Sequence, residues 1–142
     1  MNLEGAYYTW LKGERVALSE HFSTHEFACP CKNTACLYQR IAKELVDKLE
    51  LVRVEIGNPI RVTSGYRCSK YQAELRARGY ETSLGPSQHE IGRAADITTA
   101  PYALKPMAVE CADHFKAIGV GKTFVHVDLR ADKERRWKYA AR

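Results

Sequence analysis

The stretch Ser87-Gln88-His89-Glu90-Ile91-Gly92-Arg93-Ala94-Ala95-Asp96-Ile97-Thr98 decides how this chain is read. Six residues separate its histidine from its aspartate. Gly92 permits a tight turn between them, and the small Ala94 and Ala95 let the backbone pack closely. The run 93–98 (RAADIT) reads as a strand, so the chain can bring an imidazole from a loop and a carboxylate from the next strand to one point. A second segment, Thr123 to Leu129 (TFVHVDL), alternates strongly and also reads as a strand. In a strand, His126 and Asp128 share one face, while Val125, Val127 and Leu129 share the other. Two imidazoles and one carboxylate leave the fourth position of a tetrahedral Zn²⁺ open to water, as in catalytic rather than structural sites. Plainer readings exist for each residue alone: a hydrogen-bonded strand histidine, or an aspartate capping a turn. Spacing leaves both kinds of reading standing.

Outward from these segments, the chain breaks into short alternating elements. Residues 1–17 read as a loosely attached N-terminal arm, and 18–142 as the folded domain. Ser23-Thr24-His25-Glu26 has the form of a capping box and opens a short helix. Ile41, Leu45, Leu49, Val52 and Ile56 form an apolar stripe that predicts a helix over 37–56, stopped by Gly57-Asn58-Pro59. A strand over 60–63, a helix over 69–78 closed by Gly79, and a polar loop over 80–88 follow. Pro106 suits the first turn of a helix running to about Ala117, with Gly119 as its stop. No regular β-α-β repeat emerges. The expectation is an α+β domain, a small antiparallel sheet flanked by helices.

Bulk properties narrow the classes. A chain of 142 residues suits one compact domain, expected to be a monomer. No run approaches the roughly 20 apolar residues that span a bilayer, so no membrane partner is expected. The N-terminus lacks a basic region followed by an apolar core, so no signal peptide is expected. A net charge of +5 suits an anionic partner, or simply keeps the protein soluble. Arg130, Lys133, Arg135, Arg136, Lys138 and Arg142 crowd the C-terminus without a recognisable nucleic-acid reading element, so no nucleic-acid partner is expected. Without an export signal, the five cysteines are poor disulfide candidates. His25, Cys29, Cys31 and Cys36 offer four soft ligands for a structural metal, against free thiols in a surface loop. Cys68 and Cys111 read as small core or near-core residues.

Four pieces together carry a resemblance: LSEHFSTHEF (18–27), VTSGYRC (62–68), SQHEIGRAADI (87–97) and FVHVDLR (124–130), with a late Trp137. In this order they resemble the zinc D-Ala-D-Ala carboxypeptidase family, nearest to the peptidase domains of phage proteins and murein endopeptidases. The resemblance implies the fold shared with lysostaphin-type enzymes and hedgehog signalling domains. It implies His89, Asp96 and His126 as zinc ligands, Arg67 as the arginine that meets a substrate carbonyl or carboxylate, and Ser87 as a serine that helps hold substrate. It implies hydrolysis of peptidoglycan stem or cross-link peptides, as an endopeptidase or a D,D-carboxypeptidase, by water activated on the metal. Such an enzyme would be cytoplasmic until released, or phage-associated.

The general base departs from the family pattern. Many relatives carry Glu or Asp where Thr123 stands, and others a histidine where Phe124 stands. Asp128 is the remaining same-face residue, as catalytic base or as the carboxylate that orients a ligand imidazole; Glu90 is a weaker alternative. Two further readings stay open: a non-catalytic wall-binding or assembly module with the same fold, and a basic nucleic-acid-binding protein with a cysteine zinc loop.

Overall fold

The computed structural model describes residues 1–80, 87–99 and 103–139. Its larger sheet is built from β4 (Ile60–Ser64), β5 (Ala94–Thr99), β6 (Ala117–Val120), β7 (Val125–Asp128) and β8 (Arg135–Lys138), in the order β4-β5-β7-β6-β8. All its pairings are antiparallel except β6 with β8, which is parallel. A second sheet joins β1 (Asn2–Glu4), β2 (Tyr7–Leu11) and β3 (Tyr38–Ala42). Four helices complete the described residues: α1 (Thr24–Phe27), α2 (Lys43–Ile56), α3 (Ser69–Ala77) and α4 (Leu104–Cys111). The expected α+β class with a small, mainly antiparallel sheet is what the chain forms. No helix among the described residues is long and apolar enough to cross a membrane.

Alternation places the core and the polar face of the larger sheet. Ala95 and Ile97 of β5 and Val125 and Val127 of β7 join the core with Leu45, Val46, Leu49 and Val52 of α2 and Met107 and Cys111 of α4. The intervening residues, Asp96, His126 and Asp128, are buried on the opposite face. The capping box at α1 forms as the sequence predicts, with the Glu26 carboxylate accepting from the Ser23 amide at 2.7 Å.

Three expectations about the elements are corrected. Residues 1–17 are no loose arm, because Tyr8 and Trp10 alternate inward from β2 and are buried in the core. β2 pairs with β1 in a local hairpin through Gly5 and with β3 in antiparallel register from Tyr7↔Ala42 to Leu11↔Tyr38, so the aromatic run Tyr7–Trp10 is the central strand of a sheet. That pairing also takes Tyr38–Ala42 out of the helix expected from residue 37; the helical stripe holds only from Lys43. The helix expected to reach Ala117 ends at Cys111, because Phe115 turns into the core and Ala117–Val120 is needed as β6. The basic C-terminal run contains β8, in which Arg135 pairs with Asp132 at 2.9 Å and Arg136 with Glu134 at 3.1 Å.

The cysteine expectation changes too. His25 is exposed on α1, away from the thiol group, whereas Cys68, at the N-cap of α3, joins Cys29, Cys31 and Cys36. The polar loop over 80–88 falls mostly outside the described residues, as do Ala100–Tyr102 and Arg142.

Integration of the N-terminal hairpin is testable. Trp10→Ala should destabilise the fold by about 3–5 kcal/mol, as for a buried aromatic, in denaturant-induced unfolding. A change within about 0.5 kcal/mol would mean that the hairpin is a detachable appendage.

Candidate metal centre

The centre lies along one transverse row of the larger sheet. Ser64 pairs with Asp96, Asp96 with His126, His126 with Gly119, and Gly119 with Trp137, so the row crosses all five strands. Directly paired strand residues hold their Cβ atoms about 4.5–5.5 Å apart, within side-chain reach. Accordingly the Asp96 Oδ1 lies 2.9 Å from His126 Nδ1. Gly119 serves the row by having no side chain. A Cβ there would come within 2.4 Å of the Trp137 ring, which instead lies over the strand with its centroid 5.3 Å from that of His126.

His89 arrives from outside the sheet on the turn that the glycine permits. Gly92 has φ +74, and a Cβ on it would sit 2.9 Å from the Arg40 carbonyl oxygen, so both conformation and space call for glycine. Ser87 and Glu90 clamp this turn reciprocally. The Glu90 carboxylate accepts from the Ser87 amide at 2.7 Å, and the Ser87 hydroxyl accepts from the Glu90 amide at 3.4 Å. His89 Nδ1 lies 2.7 Å from the Gly65 carbonyl, an acceptor only, so Nδ1 carries the proton and Nε2 presents its lone pair inward.

Three potential donor atoms therefore converge. His89 Nε2 is 3.3 Å from His126 Nδ1 and 3.4 Å from Asp96 Oδ1, and the latter two atoms are 2.9 Å apart. Zinc–nitrogen and zinc–oxygen bonds of about 2.0–2.1 Å in a tetrahedron require ligand–ligand edges of about 3.3–3.4 Å. Two of the three distances already have that value, and the third is short because a hydrogen bond now spans it. The donor set, two imidazoles and a carboxylate, all buried, fits a divalent transition metal such as zinc.

Surrounding side chains hold this set in place. Asp96 Oδ2 accepts from Arg67 at 2.9 Å, and the same guanidinium donates to Ser64 Oγ at 2.9 Å and to Gln72 Oε1 at 3.3 Å. On the other side, His126 Nε2 lies 2.9 Å from Asp128 Oδ2. Asp128 is 1% exposed and also accepts from Arg130 through its amide, Nε and guanidinium at 3.0, 2.9 and 2.8 Å. Both Asp128 oxygens are thus engaged.

Sequence reading had put His89, Asp96, His126, Arg67, Ser87 and Asp128 in the site. His89, Asp96 and His126 lie in mutual contact, Arg67 binds Asp96 and Asp128 adjoins His126, whereas Ser87 meets the others through the turn that carries His89. Ser64, Gln72 and Arg130 were missed. For Arg130 a signal existed, since the two-residue period that joins His126 to Asp128 continues to it.

Electrostatics divide the two histidines. Burial lowers the pKa of His89, and the Arg67 charge adds to the effect, so this imidazole is neutral at physiological pH. Burial acts the same way on His126, but hydrogen bonds to Asp128 and Asp96 outweigh it and raise the pKa. For Asp96 burial works against ionisation, yet the neighbouring histidines hold its pKa well below the usual carboxylate range. Asp128 is likewise depressed against burial, through its bonds to His126 and Arg130.

Beside the centre lies a cleft of about 280 Å³ whose described lining includes Ser64, Arg67, Arg78, Asp96, Thr123 and Phe124. Asp96 is the one carboxylate among the described residues that line it. The sequence model of the Peptidase M15 family matches residues 20–128, spanning all of these elements from α1 to β7. The chain belongs to this family. Membership makes it a peptidase by family, with peptides as the implied substrate class. Searching the curated proteins finds no match.

The hydrogen bonds of His126 predict how this candidate centre would take up metal. Carboxylate oxygens face both ring nitrogens, so His126 would have to release a proton from Nδ1 before that atom could ligate. Its pKa is raised above the ordinary value, so apparent zinc affinity should keep climbing with pH beyond about 6.5, by about tenfold per pH unit while the group is protonated. Zinc titrations across that range, in buffers of differing ionisation enthalpy, should report about one proton released per ion. An affinity independent of pH would show that His126 is neutral in the metal-free protein.

Proposed function

We propose that the protein is a zinc peptidase of bacterial cell wall, with His89 Nε2, Asp96 Oδ1 and His126 Nδ1 as its metal ligands. The observation that carries this reading is the convergence of those three atoms within 3.4 Å of one another, on a face that Arg67, Asp128 and Arg130 brace. A zinc ion held there supplies a Lewis acid and an acidified water at neutral pH.

The chain's own residues then bind and orient. Arg67 lines the cleft while fixing Asp96, and is proposed to meet a peptide carbonyl or terminal carboxylate there. Arg78 adds a second cation to the same cleft, which suits the carboxylate-bearing stem peptides of peptidoglycan. Ser87 is proposed as the substrate-holding hydroxyl, kept on the turn of His89 by its tie to Glu90. Asp128 is proposed as the orienting carboxylate of His126 rather than the general base, because Arg130 and His126 already occupy its oxygens. The same engagement of the Glu90 carboxylate with the Ser87 amide argues against Glu90 as the base. The protein would act as an endopeptidase opening cross-links or as a D,D-carboxypeptidase, in a phage-associated setting or after release from the cytoplasm.

A second reading has its own support. Thr123 and Phe124, which stand where relatives carry an acid or a histidine, both line the cleft, as a wall-binding module without hydrolysis would allow. Purified protein incubated with cell-wall sacculi decides between them. New peptide ends by mass spectrometry are expected with zinc present, and none with chelator or after His126→Ala. Opened dimers would identify an endopeptidase, and released terminal D-alanine a carboxypeptidase. Binding to sacculi without any new ends in the parent protein would favour the binding module.

Replacing the orienting carboxylate separates its two roles. Asp128→Ala should weaken zinc binding about 10–100-fold and recover much of its activity at saturating zinc. Loss of turnover with zinc affinity unchanged would instead make Asp128 the base.

A further inference from the structure

Away from the His–Asp centre, four thiols from two separate segments meet. Cys29, Cys31 and Cys36 come from the irregular segment between α1 and β3, and Cys68 from the N-cap of α3. Their sulfurs all lie within 4.8 Å of one another, and all four cysteines are free. Cys68 Sγ is 3.7 Å from Cys29 Sγ and 3.8 Å from Cys31 Sγ. A disulfide would need about 2.0 Å, and Cys68 could make only one. A tetrahedron of sulfurs around zinc, with bonds of about 2.3 Å, has edges of about 3.8 Å.

The surroundings of the sulfurs suit thiolates. Each sulfur receives an N–H: Cys29 from the Cys68 amide at 3.4 Å, and Cys68 from the Tyr71 amide at 3.4 Å. Cys36 receives one from Gln39 Nε2 at 3.4 Å, and Cys31 one from the Lys12 ammonium at 3.5 Å. Four thiolates around a dication leave two negative charges, which such donors and one cation offset. Gln39 is itself buried and fixed, because its Oε1 accepts from the Cys29 amide at 2.7 Å.

We propose that Cys29, Cys31, Cys36 and Cys68 bind a second, structural zinc ion. Four protein ligands close the site to substrate, so its part is to staple the 28–36 segment to the start of α3. The staple has a functional consequence, because Cys68 directly follows Arg67, the residue that braces Asp96. Hairpin β1–β2 is drawn in as well, since Lys12, next after β2, also donates to the Cys31 carbonyl at 3.0 Å.

Metal counting on protein purified under reducing conditions tests this without depending on the peptidase reading. The double variant His89→Ala, His126→Ala dismantles the other centre and should retain one equivalent of zinc per chain. Exchanged for cobalt, that equivalent should show a thiolate-to-cobalt charge-transfer band in the near-ultraviolet, which histidine and carboxylate ligands do not give. Cys31→Ser, at a half-buried position, should weaken the band, since three thiolates remain, and lower the affinity for the metal. A double variant that is folded but metal-free, one that carries iron instead, or one with a disulfide among these four cysteines would overturn the proposal.

Discussion

A carboxylate buried inside a sheet must be neutralised where it stands, since an isolated ion there would cost several kcal/mol. Asp96 meets this demand with a guanidinium on one oxygen and imidazoles on the other. Each partner comes from a different part of the chain, which is why the register of β4, β5 and β7 and the turn before β5 must all be right together. A slip of one residue in β7 would turn His126 and Asp128 toward the core and bring Val125 and Val127 to the polar face. The buried charge and the strand register thus specify each other.

Support for the row continues beyond the atoms that would meet a metal. Trp137 covers His126 from β8, and the Arg130 guanidinium lies over the Trp137 ring at 5.6 Å while also binding Asp128. The parallel β6–β8 pairing is what returns the basic C-terminal segment across the sheet to deliver that indole.

Legibility in the sequence followed the range of the deciding interactions. Strands β4, β5 and β7 and helices α2 and α3 could be read because their patterns are local and their neighbours in sequence stop them cleanly. Strand β3 could not, because Ile41 lies on the same stripe as Leu45 and Leu49 and only pairing with β2 makes it extended. For β6, Gly119 looked like a helix stop, whereas its missing side chain serves the approach of Trp137 from a strand absent from any local pattern. The ligand-type residues stood out because titratable side chains on a strand with an apolar opposite face are chemically conspicuous. Ser64 and Gln72 were silent, since ordinary polar residues acquire their roles only when Arg67 is folded against them. Cys68 was likewise misread because its three partners lie over thirty residues away.

His126, gripped by a carboxylate at each nitrogen, carries a consequence for assembly. Arg67 and Arg130 each offset one of the two carboxylates, but on the edges facing the ring the negative oxygens meet only imidazole. A proton on each ring nitrogen would act as a placeholder between them, so the chain could fold into the shape that the proposed ion requires. Binding of the proposed ion would then exchange one positive occupant for another in a preorganised cradle, with little ordering left to do.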